Sequence, residues 1–227
     1  MLSAVIRDMR KAAVLVALVS AVALTAPAAA GAATGGAYGK GLVTTADVPA
    51  GWTASAPDTA GDKATAQDIA QCVGQPVVKK KVVVTGKDIV DPSGNFMVGS
   101  SVAVYSSTAL AKKQFKTYQS SKYAPCAQKH FETTPVGGTG GPLPTSVVVQ
   151  QVTVKRTGDR NVAYGAKAEI PNTDGTTLTV TSVQVAVLRG KAIARYQFNG
   201  QGTQAFDQAT GEALLAKVDK RLDKAKL

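Results

Sequence analysis

The sequence predicts an α+β domain in which one curved antiparallel sheet of about six strands carries two long helices on one face. Apolar and polar residues alternate between 145 and 200, as expected for strands that bury one face. Short turns rich in Gly, Asn and Asp separate these runs, which is typical of antiparallel neighbours. Two other stretches, 108–120 and 204–224, carry apolar residues at helical spacing and predict the two long helices.

The first half of the chain predicts short helices followed by a strand pair. The expected elements are a short helix at 42–47, a strand at Trp52, a helix at 65–72, and strands at 81–90 and 96–105. Pro49 stops the first helix, and Thr65 can cap the second. Residues 91–95 are turn formers at almost every position, so the two longer strands should form a hairpin.

The second half predicts a helix, a loop, the meander and a last helix. The expected elements are a helix at 108–120, a mobile Gly- and Pro-rich loop at 133–144, the strands of the meander, and a helix at 204–224. Ser106 or Ser107 can cap the first of these helices, and Thr203 can cap the last. The apolar phase switches between Val180 and Val183, which indicates either a bulge or a strand covered on both faces.

The composition is that of a globular chain with a basic surface. Of the 227 residues, 44% are hydrophobic and 18% are charged, which excludes a disordered chain. The formal net charge is +11, because 26 Lys and Arg face 15 Asp and Glu. A basic chain can bind nucleic acid, but no basic strand with interleaved aromatic residues is present. We therefore expect no nucleic-acid partner.

The N-terminus has the pattern of a secretory signal peptide. Basic residues up to Lys11 precede an apolar stretch, 12–24, which is shorter than the roughly 20 residues that span a membrane. Small residues follow at 26–33, and no cysteine lies among them to be lipidated. We expect cleavage between residues 30 and 34. The alternative is an uncleaved membrane anchor.

This pattern sets the expected domain organisation and compartment. After a signal peptide at 1–33 and a flexible segment at 34–40, residues 41–227 should form a single domain. The mature protein should be secreted or associated with the cell wall, without a lipid anchor, and we expect a monomer.

Cys72 and Cys126 are the only cysteines and should form a disulfide in an oxidising compartment. The bond would close a loop of about 54 residues, for which chain entropy predicts roughly 4 kcal/mol of stabilisation. The alternative is a pair of free thiols or a metal site. A metal would need further ligands, and His130 is the only histidine, so we expect no metal and no cofactor.

The sequence contains no known catalytic motif of the nucleophile-elbow, zinc-protease or phosphate-loop kind. A hydrolase could use His130, or an acidic pair drawn from Asp58, Asp62 and Asp68. The simpler interpretation is a surface histidine and ordinary loop or capping carboxylates. We keep an exported hydrolase as the alternative function.

Lys79, Lys80, Lys81 and Lys87 form the densest basic run before the last helix. These lysines could contact an anionic cell surface or envelope polymer. The alternative is that they solvate the entrance of a strand and deter pairing at the sheet edge.

The segment from Leu42 to Trp52, LVTTADVPAGW, is similar to the opening of an actinobacterial exported family. Members resemble the extracellular sensor domain of the mycobacterial serine/threonine kinase PknH and related lipoproteins. A cysteine after the first helix, a strand pair that leads into Ser106 and Ser107, and a second cysteine extend the resemblance. It implies one sheet-and-helix domain with a groove for an unknown ligand.

These observations predict an exported, non-enzymatic protein that binds a ligand or acts as a sensor. The ligand is expected to be a small molecule or an envelope component, bound between sheet and helices beside the loop at 133–144. A protein-interaction module is the third interpretation, because an exposed sheet edge or the basic last helix could bind a partner.

Overall fold

The computed structural model of the protein describes residues 36–57, 62–136, 141–172, 174–202 and 207–224. The expected signal peptide, 1–33, and its cleavage region therefore lie outside the described residues. Over the described ranges, one sheet of eight strands packs against four helices of eleven or more residues. No helix in these ranges has the length and apolar character needed to span a membrane. The predicted α+β class is confirmed.

The four longer helices are α1 (Asp62–Val73), α2 (Thr108–Gln119), α3 (Tyr123–Thr133) and α4 (Gln208–Lys224). A four-residue helix lies at Gly36–Gly39, and the helix predicted at 42–47 is a 3-10 turn at Thr45–Asp47. The strands are β1 (Thr53–Ser55), β2 (Val82–Thr85), β3 (Asp88–Val90), β4 (Phe96–Val104), β5 (Ser146–Val152), β6 (Arg160–Pro171), β7 (Thr177–Arg189) and β8 (Ala192–Gln201). All pairs are antiparallel, in the order β1-β3-β4-β8-β7-β6-β5, and β2 pairs with β4 beside β3. The long strands β4, β8, β7 and β6 form the centre of the sheet.

The strand count exceeds the predicted number because the stretch 81–90 forms two strands. Gly86 separates them, and its N–H donates to the Ser100 carbonyl at 2.8 Å. A side chain at Gly86 would meet the Ser100 hydroxyl oxygen at 2.7 Å, so this close approach needs glycine. The predicted turn after β3 is confirmed: the Asp91 carboxylate accepts from the backbone N–H of Phe96 at 2.8 Å.

The phase switch in β7 comes from burial on both faces. The β6–β7 pairing runs without interruption from Arg160 opposite Leu188 to Pro171 opposite Thr177, so no bulge is present. Val180 packs on one face against Val136 and Ile170. The neighbouring odd positions of β7 pack on the other face; they are Val183, Val185 and Val187.

The two long helices lie on opposite faces of the sheet, which corrects the prediction of a single covered face. We call the face under α2 and α3 the front face; Ala103, Ala186 and Ile193 lie on it with Phe115 of α2. We call the face under α4 the back face. Val102, Val187 and Ala194 lie there with Leu214 and Val218.

The reason for this error lies in β8, which is buried on both faces from Ala192 to Gly200. On the front face of β8, the apolar Ile193 is followed only by polar residues. Arg195, Gln197 and Asn199 are typical of a solvent-exposed face in sequence, yet each is at most 8% exposed.

Helix α3 was not predicted, because Pro125 lies within it and proline normally ends or kinks a helix. Pro125 lies in the first turn, where proline is tolerated because its missing N–H has no partner inside the helix. The preceding helix, α2, begins as predicted, because the Ser107 hydroxyl caps it by accepting from the Leu110 N–H at 3.3 Å. The last helix begins at Gln208, and its predicted cap, Thr203, lies outside the described residues.

Candidate functional site

The predicted disulfide is present: Cys72 and Cys126 are bonded, with their Cα atoms 5.8 Å apart. Cys72 lies near the end of α1, and Cys126 lies in α3. The bond therefore joins α1 to α3, rather than to the helix at 108–120. It fixes one wall of a cleft on the front face.

This cleft lies between α1, α2 and β8. Its walls include Ala66 and Ile69 of α1 and Gln114 and Tyr118 of α2, and Arg195 of β8 lies at its base. The enclosed space is about 20 Å³, enough for one water molecule. None of the described residues at 133–136 and 141–144 lines this cleft, although the ligand site was predicted beside that loop.

Arg195 is the unusual group in the cleft, because its charged side chain is buried with no acidic side chain among the described lining residues. The residue is 7% exposed and pairs with Ser101 of β4 and Ala186 of β7. Its Nε–H has no hydrogen-bond partner. Among the described residues that line the cleft, none is Asp or Glu. A guanidinium stays charged at any physiological pH, so this charge is left unneutralised by the cleft itself.

The tyrosines around Arg195 are neutral hydrogen-bonding groups. Burial raises the pKa of both Tyr105 and Tyr123, and the Arg195 charge opposes that rise. The Tyr123 hydroxyl donates to Gln184 Oε1 at 3.0 Å. The site can therefore offer a fixed positive charge beside phenol groups, which suits an anion rather than a cation.

The lysine run divides between the cleft and the solvent. Lys79, Lys81 and Lys87 are exposed, whereas Lys80 is half-buried and lines the cleft with Arg195. The backbone N–H of Lys81 donates to the Val104 carbonyl at 2.8 Å, just before β2 begins. The contact of these lysines with an anionic surface stays a prediction, and Lys80 gains a second possible role in the cleft.

His130 is part of a polar cluster between α1 and α3. Its Nδ1 lies 3.3 Å from Asp68 Oδ2, and its Nε2 lies 2.9 Å from the Thr65 hydroxyl. Burial lowers the pKa of His130, while the Asp68 carboxylate acts in the opposite direction. Carboxylate, imidazole and hydroxyl thus lie in the order of a hydrolytic triad. Thr65 is 3% exposed, so a substrate carbonyl has no path to its hydroxyl in this arrangement.

The acidic pair is not assembled by the described residues. Asp58 and the Asp62 side chain lie outside them, and Asp68 pairs with His130. The predicted capping role of Thr65 is also corrected, because α1 begins at Asp62 and Thr65 lies inside it.

A second cavity lies on the back face, between α4 and the strands β5, β7 and β8. Its volume is about 150 Å³, and its walls are mainly apolar; they include Val152, Val185, Phe198 and Leu215. Among its described lining residues, the one charged group is the half-buried Glu212, which is negative. The cleft at Arg195 is therefore the better candidate for recognition of a polar ligand.

Arg195 was not singled out from the sequence. One signal could have found it: polar residues occupy alternate positions of β8, at 195, 197, 199 and 201, in a strand whose other positions are apolar. That pattern normally indicates a strand whose polar face is exposed to solvent. Only the packing of α2 over this face shows that the polar residues are buried.

The chain matches no model of a known protein family, and no curated protein shows significant similarity to it. Among solved structures, it is similar to the extracellular domain of PknH from Mycobacterium tuberculosis, with 15% identity, a TM-score of 0.41, and 76% of this chain and 78% of that chain covered. It is also similar to LpqN, involved in cell envelope biogenesis of Mycobacterium tuberculosis, with 14% identity, a TM-score of 0.33, and 78% of each chain covered. These values do not assign the chain to a family.

Proposed function

We propose that the protein is an exported, non-enzymatic binding protein of the cell envelope, which holds an anionic ligand against Arg195. The observation that carries this proposal is the buried guanidinium, which has no carboxylate beside it among the described cleft residues. Its Nε–H also lacks a partner. A ligand carboxylate or phosphate would supply both the charge and the acceptor.

The energetics favour this interpretation. Burying a charge without a partner costs several kcal/mol, because the low dielectric of the interior no longer solvates it. A guanidinium cannot escape the cost by losing its proton. Carboxylates and phosphates match its planar fork with two parallel hydrogen bonds. Lys80 in the same cleft adds a second positive charge.

Binding has to widen the cleft, because its present space admits little more than a water molecule. The disulfide holds α1 against α3, so α1 is the fixed wall. The segment at 75–80 contains no helix or strand and contributes Val77 and Lys80 to the lining. We expect this segment to move when the ligand enters.

Thermal unfolding in the presence of inorganic phosphate at constant ionic strength tests the proposal. Phosphate should raise the melting temperature of the native protein, but not that of Arg195→Met. Lys79→Gln is the matched control, since it removes an exposed neighbouring charge and should respond like the native protein. An equal response in all three proteins, or no response in any, would contradict the proposal.

Hydrolysis is the second candidate function, favoured by the order of Asp68, His130 and Thr65. It requires the Thr65 hydroxyl to become accessible. Ester turnover that disappears in both Thr65→Val and His130→Gln would support hydrolysis. Turnover that is absent from the native protein, or unchanged in these variants, would exclude this triad.

A further inference from the structure

A row of polar side chains runs along the front face of β7 and β8. We call it the polar row; its members are Ser182, Gln184, Arg195, Gln197 and Asn199, which are buried, and Gln201, which is half-buried. They share one face because paired residues of an antiparallel sheet lie side by side and successive residues alternate. Ser182 lies opposite Asn199, and Gln184 lies opposite Gln197. Ser182 and Asn199 are 2% and 1% exposed.

The polar row is only partly satisfied by its own hydrogen bonds. Gln197 Nε2 donates to Asn199 Oδ1 at 3.2 Å, and Tyr123 donates to Gln184. Four side-chain atoms have no partner; they are Ser182 Oγ, Arg195 Nε, Asn199 Nδ2 and Gln201 Nε2. These four are also the complete set of buried, unpartnered side-chain polar atoms across the described residues. Their concentration on one face of two paired strands is unlike the scattered exceptions of an ordinary core.

The hydrogen-bonding character of the four unpartnered atoms indicates which ligand groups could bind them. Three are N–H donors and one is a hydroxyl, so the complementary ligand must present acceptor oxygens. From Arg195 to Gln201 the strand advances by about 20 Å, which suits an extended ligand rather than a single ion. Only the Arg195 end carries a charge; the rest of the row is neutral.

We infer that the polar row binds a glycan that bears an acidic group, with the acid at Arg195 and the sugar oxygens along Asn199 and Gln201. This inference rests on the proposed function and deepens it by naming the ligand class. A peptide fits less well, because half of its backbone polar groups are N–H donors, whereas three of the four unpartnered atoms of the row are themselves donors. Val136 packs against Val180, next to Ser182 on the same face, so the ligand must displace this contact at the far end.

Titration calorimetry with four probes tests the inference: inorganic phosphate, neutral maltotetraose, tetragalacturonate and glucose 6-phosphate. The last two combine sugar hydroxyls with a carboxylate or a phosphate and so separate the two sources of acid. At least one of them should bind tenfold or more tightly than inorganic phosphate and than maltotetraose. Ser182→Ala and Asn199→Leu should lose most of that gain for tetragalacturonate, which can extend from Arg195 to Asn199, and should leave the affinity for inorganic phosphate unchanged.

Thr181→Val is the matched control, because Thr181 neighbours Ser182 in β7 but lies on the back face. It should bind every probe like the native protein. Ser182→Ala should keep the native melting temperature, since the removed hydroxyl has no partner, and this separates lost binding from lost folding.

Acidic sugars that bind no more tightly than inorganic phosphate, or row variants that bind them like the native protein, would overturn the glycan inference alone. Maltotetraose binding as tightly as the acidic sugars would overturn it as well, because the acid would then add nothing. If phosphate also fails to bind, the proposed function fails with it.

Discussion

Arg221 of α4 forms a two-pronged ion pair with Asp47, in which Nη1 lies 2.7 Å from Oδ1 and Nη2 lies 2.9 Å from Oδ2. The same guanidinium donates to the Lys40 and Leu42 carbonyls at 3.0 and 2.9 Å. Asp47 also accepts from the Thr44 N–H at 2.9 Å. Leu42 and Asp47, in the first half of the segment LVTTADVPAGW, therefore hold the last helix in place.

Asp47→Asn should destabilise the protein by about 2 kcal/mol, because it removes charge-assisted hydrogen bonds from a carboxylate that is largely buried. Burial raises the pKa of Asp47, but the hydrogen bonds from Arg221 and Thr44 outweigh it and hold the pKa below its usual value. The stabilisation is therefore present above about pH 4 and is lost as the pH falls through the folded pKa.

Urea unfolding at pH 7 and at pH 3 measures this effect. Glu169→Gln is the control, because Glu169 forms an exposed pair with Lys167 at 3.1 Å and should contribute less than about 1 kcal/mol. Equal losses in the two variants at pH 7 would show that the Asp47 pair does not hold α4 in place.

The disulfide should dominate the stability of the front face. Cys72 and Cys126 are 54 residues apart, so the double variant Cys72→Ala/Cys126→Ala should lose about 4 kcal/mol of unfolding free energy. The native protein under reducing conditions should show a similar loss. A loss below about 1 kcal/mol in both experiments would mean that α1 is held by its packing alone.

His130 should make the stability fall in mildly acidic solution. Its pKa is lowered in the folded protein because burial disfavours the imidazolium, even though Asp68 favours it. The unfolded chain then takes up protons first, so stability is present above about pH 6.5 and declines as the pH falls toward the folded pKa.

His130→Gln should flatten the melting temperature between pH 7.5 and pH 5, while the native protein loses stability over this range. Asp68→Asn provides the comparison: it removes the charge that favours the imidazolium, so it should steepen the decline. Identical pH profiles in the native protein and His130→Gln would show that His130 does not titrate differently on folding.

Gly158, in the β5–β6 connection, lies close to the backbone of β7 at Leu188. Its φ is +66°, and a Cβ atom there would meet the Leu188 carbonyl oxygen at 2.7 Å. Gly158→Ala should therefore lower the unfolding free energy by about 2–3 kcal/mol, the sum of the left-handed conformation and the clash. Gly175→Ala shares a positive φ of +83° but points into open space, so it should cost only about 1 kcal/mol. If the two variants lose equal unfolding free energy, the contact with the Leu188 carbonyl does not destabilise Gly158→Ala.

The parts of the fold set by local sequence were predictable. The turn at Asp91, the cap at Ser107 and the meander depend on residues close together in the chain, and each was confirmed. The disulfide was also predictable, because an exported chain with two cysteines has few alternatives.

The parts set by packing were not predictable. Helix α3 was missed, because the sequence does not show that Pro125 falls in the first turn of a helix. The covered front face and the cleft were missed, because buried polar residues such as Arg195 give a strand the same alternating sequence as exposed ones do. Two partners of the His130 ring, Thr65 and Asp68, lie on α1, 65 residues away for Thr65, and no local pattern relates them to it. A third partner of the ring, Thr134, is close in sequence.

The affinity of inorganic phosphate for the native protein and for Arg195→Met is the most direct test of the anion site. We expect measurable binding in the native protein, at least a tenfold weaker affinity in Arg195→Met, and no large loss of unfolding free energy in the variant, because the described residues that line the cleft include no carboxylate that pairs with the guanidinium. Phosphate that binds Arg195→Met as well as the native protein would contradict the central claim.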